Sequence, residues 1–106
     1  MDLGIQGKVA LVAASSQGLG LAVAEELAAE GARLVMCARG EDALRTACES
    51  IAVRSGVEVL GIAGDLSQHA DIERIVYAGI DRFGQIDILV TNSGGPPTGV
   101  FEGLSR

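Results

Sequence analysis

The sequence predicts an α/β fold, a parallel sheet doubly wound by helices. Short aliphatic runs alternate with helix-period segments along the 106 residues, in the order βαβαβαβ. Tight turns rich in Gly and small polar residues join them, as right-handed crossovers require. Hydrophobic residues make up 48% of the chain, yet aromatics are limited to two Phe and one Tyr. The core must therefore be built from Val, Ile, Leu and Ala, which suits strands buried on both faces. If the sheet is doubly wound, its four strands lie in the order 3-2-1-4. The length suits one domain spanning residues 1–106, with a modest core.

Residues 8–14 (KVALVAA) form an aliphatic run too short for a helix and are predicted as the first strand. Over 18–30 the period changes. Leu19, Val23 and Leu27 recur at i, i+4 and i+8, with Glu25, Glu26 and Glu30 opposite, and Gly31 supplies a left-handed cap. Residues 33–38 (RLVMCA) are the second strand. The next helix carries Glu41 and Asp42 in its first turn, where negative charge suits the dipole, and Leu44, Ala47, Cys48 and Ile51 on its inner face. Residues 57–63 (VEVLGIA) are the third strand. Ser67 is the expected N-cap of a third helix with apolar positions Ile72, Ile75, Val76, Ile80 and Phe83, closed by Gly84. Residues 86–91 (IDILVT) are the fourth strand, and the Gly/Pro-rich stretch 92–99 is loop.

Charge excludes some functions. The net charge is −6, and the eight basic residues are scattered singly, so no stripe could neutralise a nucleic-acid backbone. No apolar run approaches bilayer length, which argues against a membrane span, and residues 1–4 lack the features of a secretory signal. Cys37 and Cys48 have no metal-like or CxxC spacing and are expected as two buried thiols in a reducing cytoplasm. His69 is expected as a solvated surface residue.

Chemistry concentrates in the first turn, Ala14-Ser15-Ser16-Gln17-Gly18-Leu19-Gly20, which joins a buried strand directly to a helix. Gly18 lets backbone approach a pyrophosphate, and Gly20 lets the helix approach the sheet. Unpaired amides at the helix start then face the anion, each such interaction contributing roughly 0.3–2 kcal/mol. The alternative is that both glycines merely make a tight turn.

This spacing resembles the TGxxxGxG motif of the short-chain dehydrogenase/reductases, with Ala13 and Ala14 where the motif has Thr and its first Gly. Asp65-Leu66, after the third strand, resembles the family's acidic contact to the adenine ring. Thr91-Asn92-Ser93-Gly94, after the fourth, resembles its NNAG motif, altered at the first and third positions. The likeness spans nearly the whole chain and implies a Rossmann-type dinucleotide-binding domain. Its cofactor-binding residues are expected to be Ala14, Ser16, Gln17, Gly18, Leu19, Gly20, Arg39, Asp65, Leu66, Asn92, Ser93 and Gly94. The loop that follows makes the pattern most similar to 3-oxoacyl-acyl-carrier-protein reductase-like members. Other roles stay open: Asp65 as a cap on the turn into the third helix, and Asn92 as a partner for strand-end backbone.

Cofactor choice rests on the end of the second strand. NAD-binding Rossmann domains place an acid about 20 positions beyond the glycine loop to accept the ribose hydroxyls. Here Ala38 stands in its place and Arg39 follows. A guanidinium can hold a 2′-phosphate in bidentate fashion, whereas a carboxylate would repel it. NADP(H) is therefore favoured over NAD(H), with Ser16 as a further donor. Two alternatives remain: Arg39 as a plain surface charge, and Glu41 or Asp42 serving NAD.

In the resembled family a Tyr donates the proton, a Lys four residues later lowers its pKa, and a Ser positions the substrate. The one Tyr here, Tyr77, has Asp81 at i+4, and the one Lys is Lys8. No catalytic residue is thus expected within this chain, and Tyr77 is expected as a partly buried helix-face residue. The resemblance implies an oxidoreductase acting on a carbonyl/alcohol pair, present as its cofactor-binding portion and truncated relative to the family. Truncation would leave the fourth strand as an aliphatic edge and the sheet's second face without its helices, favouring self-association, most simply a homo-oligomer. A non-catalytic nucleotide-binding or interaction module is the alternative. An S-adenosylmethionine-dependent methyltransferase ranks lower, because it usually needs an acid where Ala38 and Arg39 stand.

Overall fold

The computed structural model describes residues 4–13, 18–65, 68–90 and 100–102, the last as strand backbone. Strands β1 (Val9–Val12), β2 (Arg33–Ala38), β3 (Val59–Ala63) and β4 (Ile88–Val90) alternate with helices α1 (Gly18–Ala29), α2 (Glu41–Ser55) and α3 (His69–Phe83), and β5 (Val100–Glu102) follows. They form one sheet in the order β3-β2-β1-β4-β5. The first four strands are parallel, with Ala10 opposite both Leu34 and Ile88, and Leu34 opposite Val59. The expected order 3-2-1-4 is found.

β5 was not expected. It pairs antiparallel with β4, Leu89 opposite Phe101, so β4 is not the sheet's edge. A three-residue strand is too short to print an alternation that sequence could reveal.

Strand side chains alternate between faces. Ala10, Val12, Leu34, Met36 and Ala38 enter one core, which α1 and α2 close with Ala24, Leu27, Leu44, Cys48 and Ile51. Val9, Leu11, Ala13, Val35 and Cys37 enter the other, with Ile75 of α3 and Ile86. The expectation that this second face lacks helical cover is corrected, since Leu11 and Val35 are buried there under α3. After β3 the chain turns back across the sheet to β4. A right-handed crossover in that reversed direction must pass over the opposite face.

Local expectations met mixed outcomes. α2 buries Leu44, Ala47, Cys48 and Ile51 as expected. α1 buries Gly20, Ala24, Leu27 and Ala28; of the expected stripe Leu27 is buried and Val23 packs partly buried against the core, but Leu19 is 54% exposed. Its small residues let the helix axis come close to the sheet, and that packing outweighs the larger side chains. Gly31 and Gly84 close α1 and α3 with φ of 93° and 87°. The residue at the N-cap of α3 is Gln68, without a side-chain cap bond, while Ser67 lies outside the described residues. Tyr77 is 71% exposed, not partly buried. It lies about 200° round the helix from the buried Ile75, at about 100° per residue.

The N-terminal end of the sheet is fastened by side chains. The Val9 N–H donates to Asp87 Oδ2 at 2.9 Å, and the Asp87 N–H donates to the Val9 carbonyl at 2.8 Å. Gln85 Nε2 donates to the same carboxylate oxygen at 2.7 Å. Arg33 donates to the Gly7 carbonyl at 2.8 Å and lies 5.3 Å from the centre of the Phe83 ring.

Candidate nucleotide-binding crest

Because β1 to β4 are parallel, their C-terminal ends share one edge of the sheet. The chain moves from β1 to β2 and β3 on one side, then crosses to β4 on the other. In doubly wound sheets ligands bind at the C-terminal ends of the strands where the strand order reverses, which here falls between β1 and β4.

Gly18 starts α1, the helix that follows β1. Its φ is +65°, in the left-handed region, and a Cβ added there would meet nothing within 4 Å. The glycine is thus needed for backbone direction rather than for room. Leu19 is exposed and Gly20 buried, as expected of a turn facing ligand on one side and sheet on the other. The first turn of α1 has no acidic residue, whereas α2 has Glu41 and Asp42 there and α3 has Asp71. No side-chain carboxylate of its own first turn therefore offsets the positive end of α1.

Arg39 leaves the end of β2, exposed to solvent, and makes no hydrogen bond or ion pair with other described residues. Asp65 lies partly buried just past β3. The two strand ends are adjacent, with Ala38 opposite Ala63 and the Gly64 N–H donating to the Ala38 carbonyl at 2.9 Å. The structure therefore brings Gly18, Leu19, Gly20, Arg39 and Asp65 to one edge. Ala14, Ser16, Gln17, Leu66, Asn92, Ser93 and Gly94 lie outside the described residues.

Two residues absent from the sequence reading stand behind this crest. Asp71 Oδ2 accepts the Asp65 N–H at 3.0 Å. Arg74 donates to the Ala63 carbonyl at 2.8 Å and to Asp71 Oδ1 at 3.1 Å. The Asp65 amide first, then the Arg74 guanidinium, hold the Asp71 carboxyl below its ordinary pKa. In sequence this pair reads as an ordinary i,i+3 helix ion pair. Nothing there signals that both partners also reach back to the preceding strand.

Tyr77 and Asp81 sit on α3, and Lys8 precedes β1 at the opposite end of the sheet. No group of His, Cys, Asp and Glu able to hold a metal exists among the described residues. Burial, with a smaller contribution from Glu49, raises the Cys48 pKa, as suits a core thiol rather than a nucleophile. His69 is exposed, 3.7 Å from Glu73. No helix among the described residues is long and apolar enough to cross a membrane. Two surface grooves between α1 and α2, one around Ala28 and Ile51 and one around Ala43 and Ala47, contain none of the crest residues.

Known proteins share this architecture. The L-sorbose reductase of Gluconobacter frateurii, solved with NADPH and L-sorbose, is 44% identical, with a TM-score of 0.86 over 90% of this chain and 36% of its own. A short-chain dehydrogenase/reductase from Burkholderia phymatum, solved with NAD, is 32% identical, with a TM-score of 0.77 over 80% of this chain and 30% of its own. The 1,6-dihydroxycyclohexa-2,4-diene-1-carboxylate dehydrogenase of Pseudomonas putida is 43% identical over 90% of this chain and 34% of its own length. A putative ketoacyl reductase of Streptomyces coelicolor is 41% identical over 92% and 37%. The chain thus spans about a third of the length of these relatives. The model of the short chain dehydrogenase family matches residues 8–106, and with the strand order found here, the chain belongs to that family.

Proposed function

We propose that residues 1–106 are the cofactor-binding portion of an NADP(H)-dependent oxidoreductase that interconverts a carbonyl and an alcohol. The observation that carries this reading is Arg39, exposed at the end of β2 without a partner among the described residues, directly after Ala38, which stands where an NAD-binding domain would present a carboxylate. The crest fits the cofactor: the α1 amides after Gly18 take the diphosphate, Arg39 the 2′-phosphate and Asp65-Leu66 the adenine. Ala14, Ser16, Gln17, Leu19, Gly20, Asn92, Ser93 and Gly94 are assigned to the same cofactor from the sequence motifs that contain them. The bound dinucleotide supplies the hydride. This chain's residues bind and orient it, and none of them supplies the Tyr-x-x-x-Lys proton donor. Support for NADP(H) also comes from the sorbose reductase with NADPH, although the Burkholderia relative was solved with NAD. A cytoplasmic location and a homo-oligomeric state are part of the proposal, the latter without the open β4 edge and bare sheet face first expected, since β5 and α3 cover them.

Titration of the chain with NADPH and NADH tests it. Arg39→Ala should weaken NADPH binding about tenfold or more, the worth of one charge-assisted phosphate contact, and leave NADH nearly unchanged. Equal losses for both, or none, would overturn the cofactor assignment. No turnover of a carbonyl panel is expected from these residues alone. Turnover would show a proton donor that this reading lacks.

A further inference from the structure

The first turn of α3 is tied to the crest by side chains that no cofactor-facing role requires. Asp71 accepts the Asp65 N–H with one carboxylate oxygen and an Arg74 N–H with the other. Arg74 also donates to the Ala63 carbonyl at 2.8 Å, the last residue of β3. Between them Gly64 donates to the Ala38 carbonyl, the residue before Arg39. The fit is close. A Cβ on Gly64 would stand 2.8 Å from Arg74 Nη2, 3.0 Å from Ile75 Cδ1 and 3.5 Å from Asp71 Cγ. A continuous set of hydrogen bonds therefore runs from α3 through the end of β3 to the end of β2.

We propose that Asp71 and Arg74 are positioning residues for the adenosine end of the cofactor. By holding Ala63, Gly64 and Asp65 in one path, they set the spacing between Asp65 and Arg39, and so the discrimination of a 2′-phosphate from a 2′-hydroxyl. This rests on the crest being the dinucleotide seat. The pair does not touch the ligand. It fixes the backbone from which both contacting side chains leave, a supporting layer that binding geometry needs to hold within fractions of an ångström. Side chains at 30% and 51% exposure give little as a bare ion pair, so the effect lies in the backbone bonds they direct.

The test compares the unaltered chain with Asp71→Ala, Arg74→Ala and Asp71→Asn, in titrations with NADPH, NADH and adenosine 2′,5′-bisphosphate. The alanine variants should lose about tenfold in affinity for NADPH and the bisphosphate but less for NADH, so that the NADPH/NADH ratio falls. Asp71→Asn keeps an oxygen for the Asp65 N–H and should recover part of that loss. A loss of stability alone would weaken all three ligands in proportion and leave the ratio unchanged, which would overturn the proposal. Unchanged affinities in folded alanine variants would overturn it too. If the alanine variants do not fold, Asp71→Asn and Arg74→Lys carry the same comparison. Hydrogen exchange at the Asp65 amide, slow in the unaltered chain and fast in Asp71→Ala, reads the clamp without any ligand. Failure of the unaltered chain to bind any of the nucleotides sinks the cofactor reading itself, and is visible before any variant is made.

Discussion

Replacing Gly61 by Ala probes how tightly α2 sits on the sheet. Gly61 lies in the middle of β3, opposite Met36. A Cβ there would stand 2.7 Å from Cys48 Sγ, and 3.6 and 3.7 Å from Leu44 Cγ and Cδ2. The leucine distances are ordinary contacts, but the sulfur is closer than a carbon can rest. Cys48 must turn or α2 must lift. Turning is restricted, because Cys48 is buried and its sulfur already lies 3.8 Å from that of Met36. Overpacking a filled site costs about 1–3 kcal/mol. Removing a glycine from a strand returns roughly 0.5–1 kcal/mol. The net expectation is a loss of about 1–2 kcal/mol, at roughly 4–8 °C of Tm per kcal/mol for a domain near this size. Cys48→Ala alone should cost about 1 kcal/mol or more through the space it leaves. In the double variant the new methyl fills that space, so the two changes should couple by about 1 kcal/mol in the favourable direction. Urea unfolding followed by far-UV circular dichroism measures all four corners of the cycle. Additivity within about 0.5 kcal/mol, or a Gly61→Ala chain more stable than the original, would refute the reasoning.

Asp87→Ala should cost about 1–3 kcal/mol, since it leaves the N–H of fully buried Val9 without its acceptor. Asp87→Asn keeps an oxygen there and should lose clearly less, as thermal midpoints would show. Asp71 adds a pH dependence. Its folded pKa lies below the unfolded value, so the stability it confers is fully present above about pH 5 and fades as pH falls through the lowered folded value. The difference in urea midpoint between the original chain and Asp71→Asn should therefore be constant from neutral to mildly acidic pH and shrink below that range. A difference that grows on acidification would contradict the hydrogen bonds described for this carboxylate.

The legible parts of the fold were those where one rule decides. α2 alternates charged and apolar residues at a clean helical period, so its inner face was readable to the residue. The strand order followed from handedness and the reversal rule. On α1 the sequence reading missed Gly20, Ala24 and Ala28 and misplaced Leu19, because most of its residues other than the glutamates are apolar or small and periodicity alone does not choose among them. Tyr77, expected to be partly buried, is exposed because the β3–β4 crossover orients α3 by Ile75 and Gly79. In the site, Gly18 and Arg39 were visible because their chemistry is local to a turn. Asp71 and Arg74 were not, since their partners Ala63 and Asp65 contribute backbone atoms, which carry no residue-specific signal.

The two cysteines carry a consequence for reading habitat from composition. Cys48 belongs to the core beneath α1 and α2, and Cys37, on β2, to the core beneath α3. β2 has a neighbour on each side, so a layer of hydrogen-bonded backbone separates the sulfurs. Joining them would demand thiols on one side of that layer, whereas Cys48 faces one surface from α2 and Cys37 leaves the other from β2. An oxidising medium would find no bridge to forge between them, and a reducing one none to break. Where the protein works must be established from something other than its thiols.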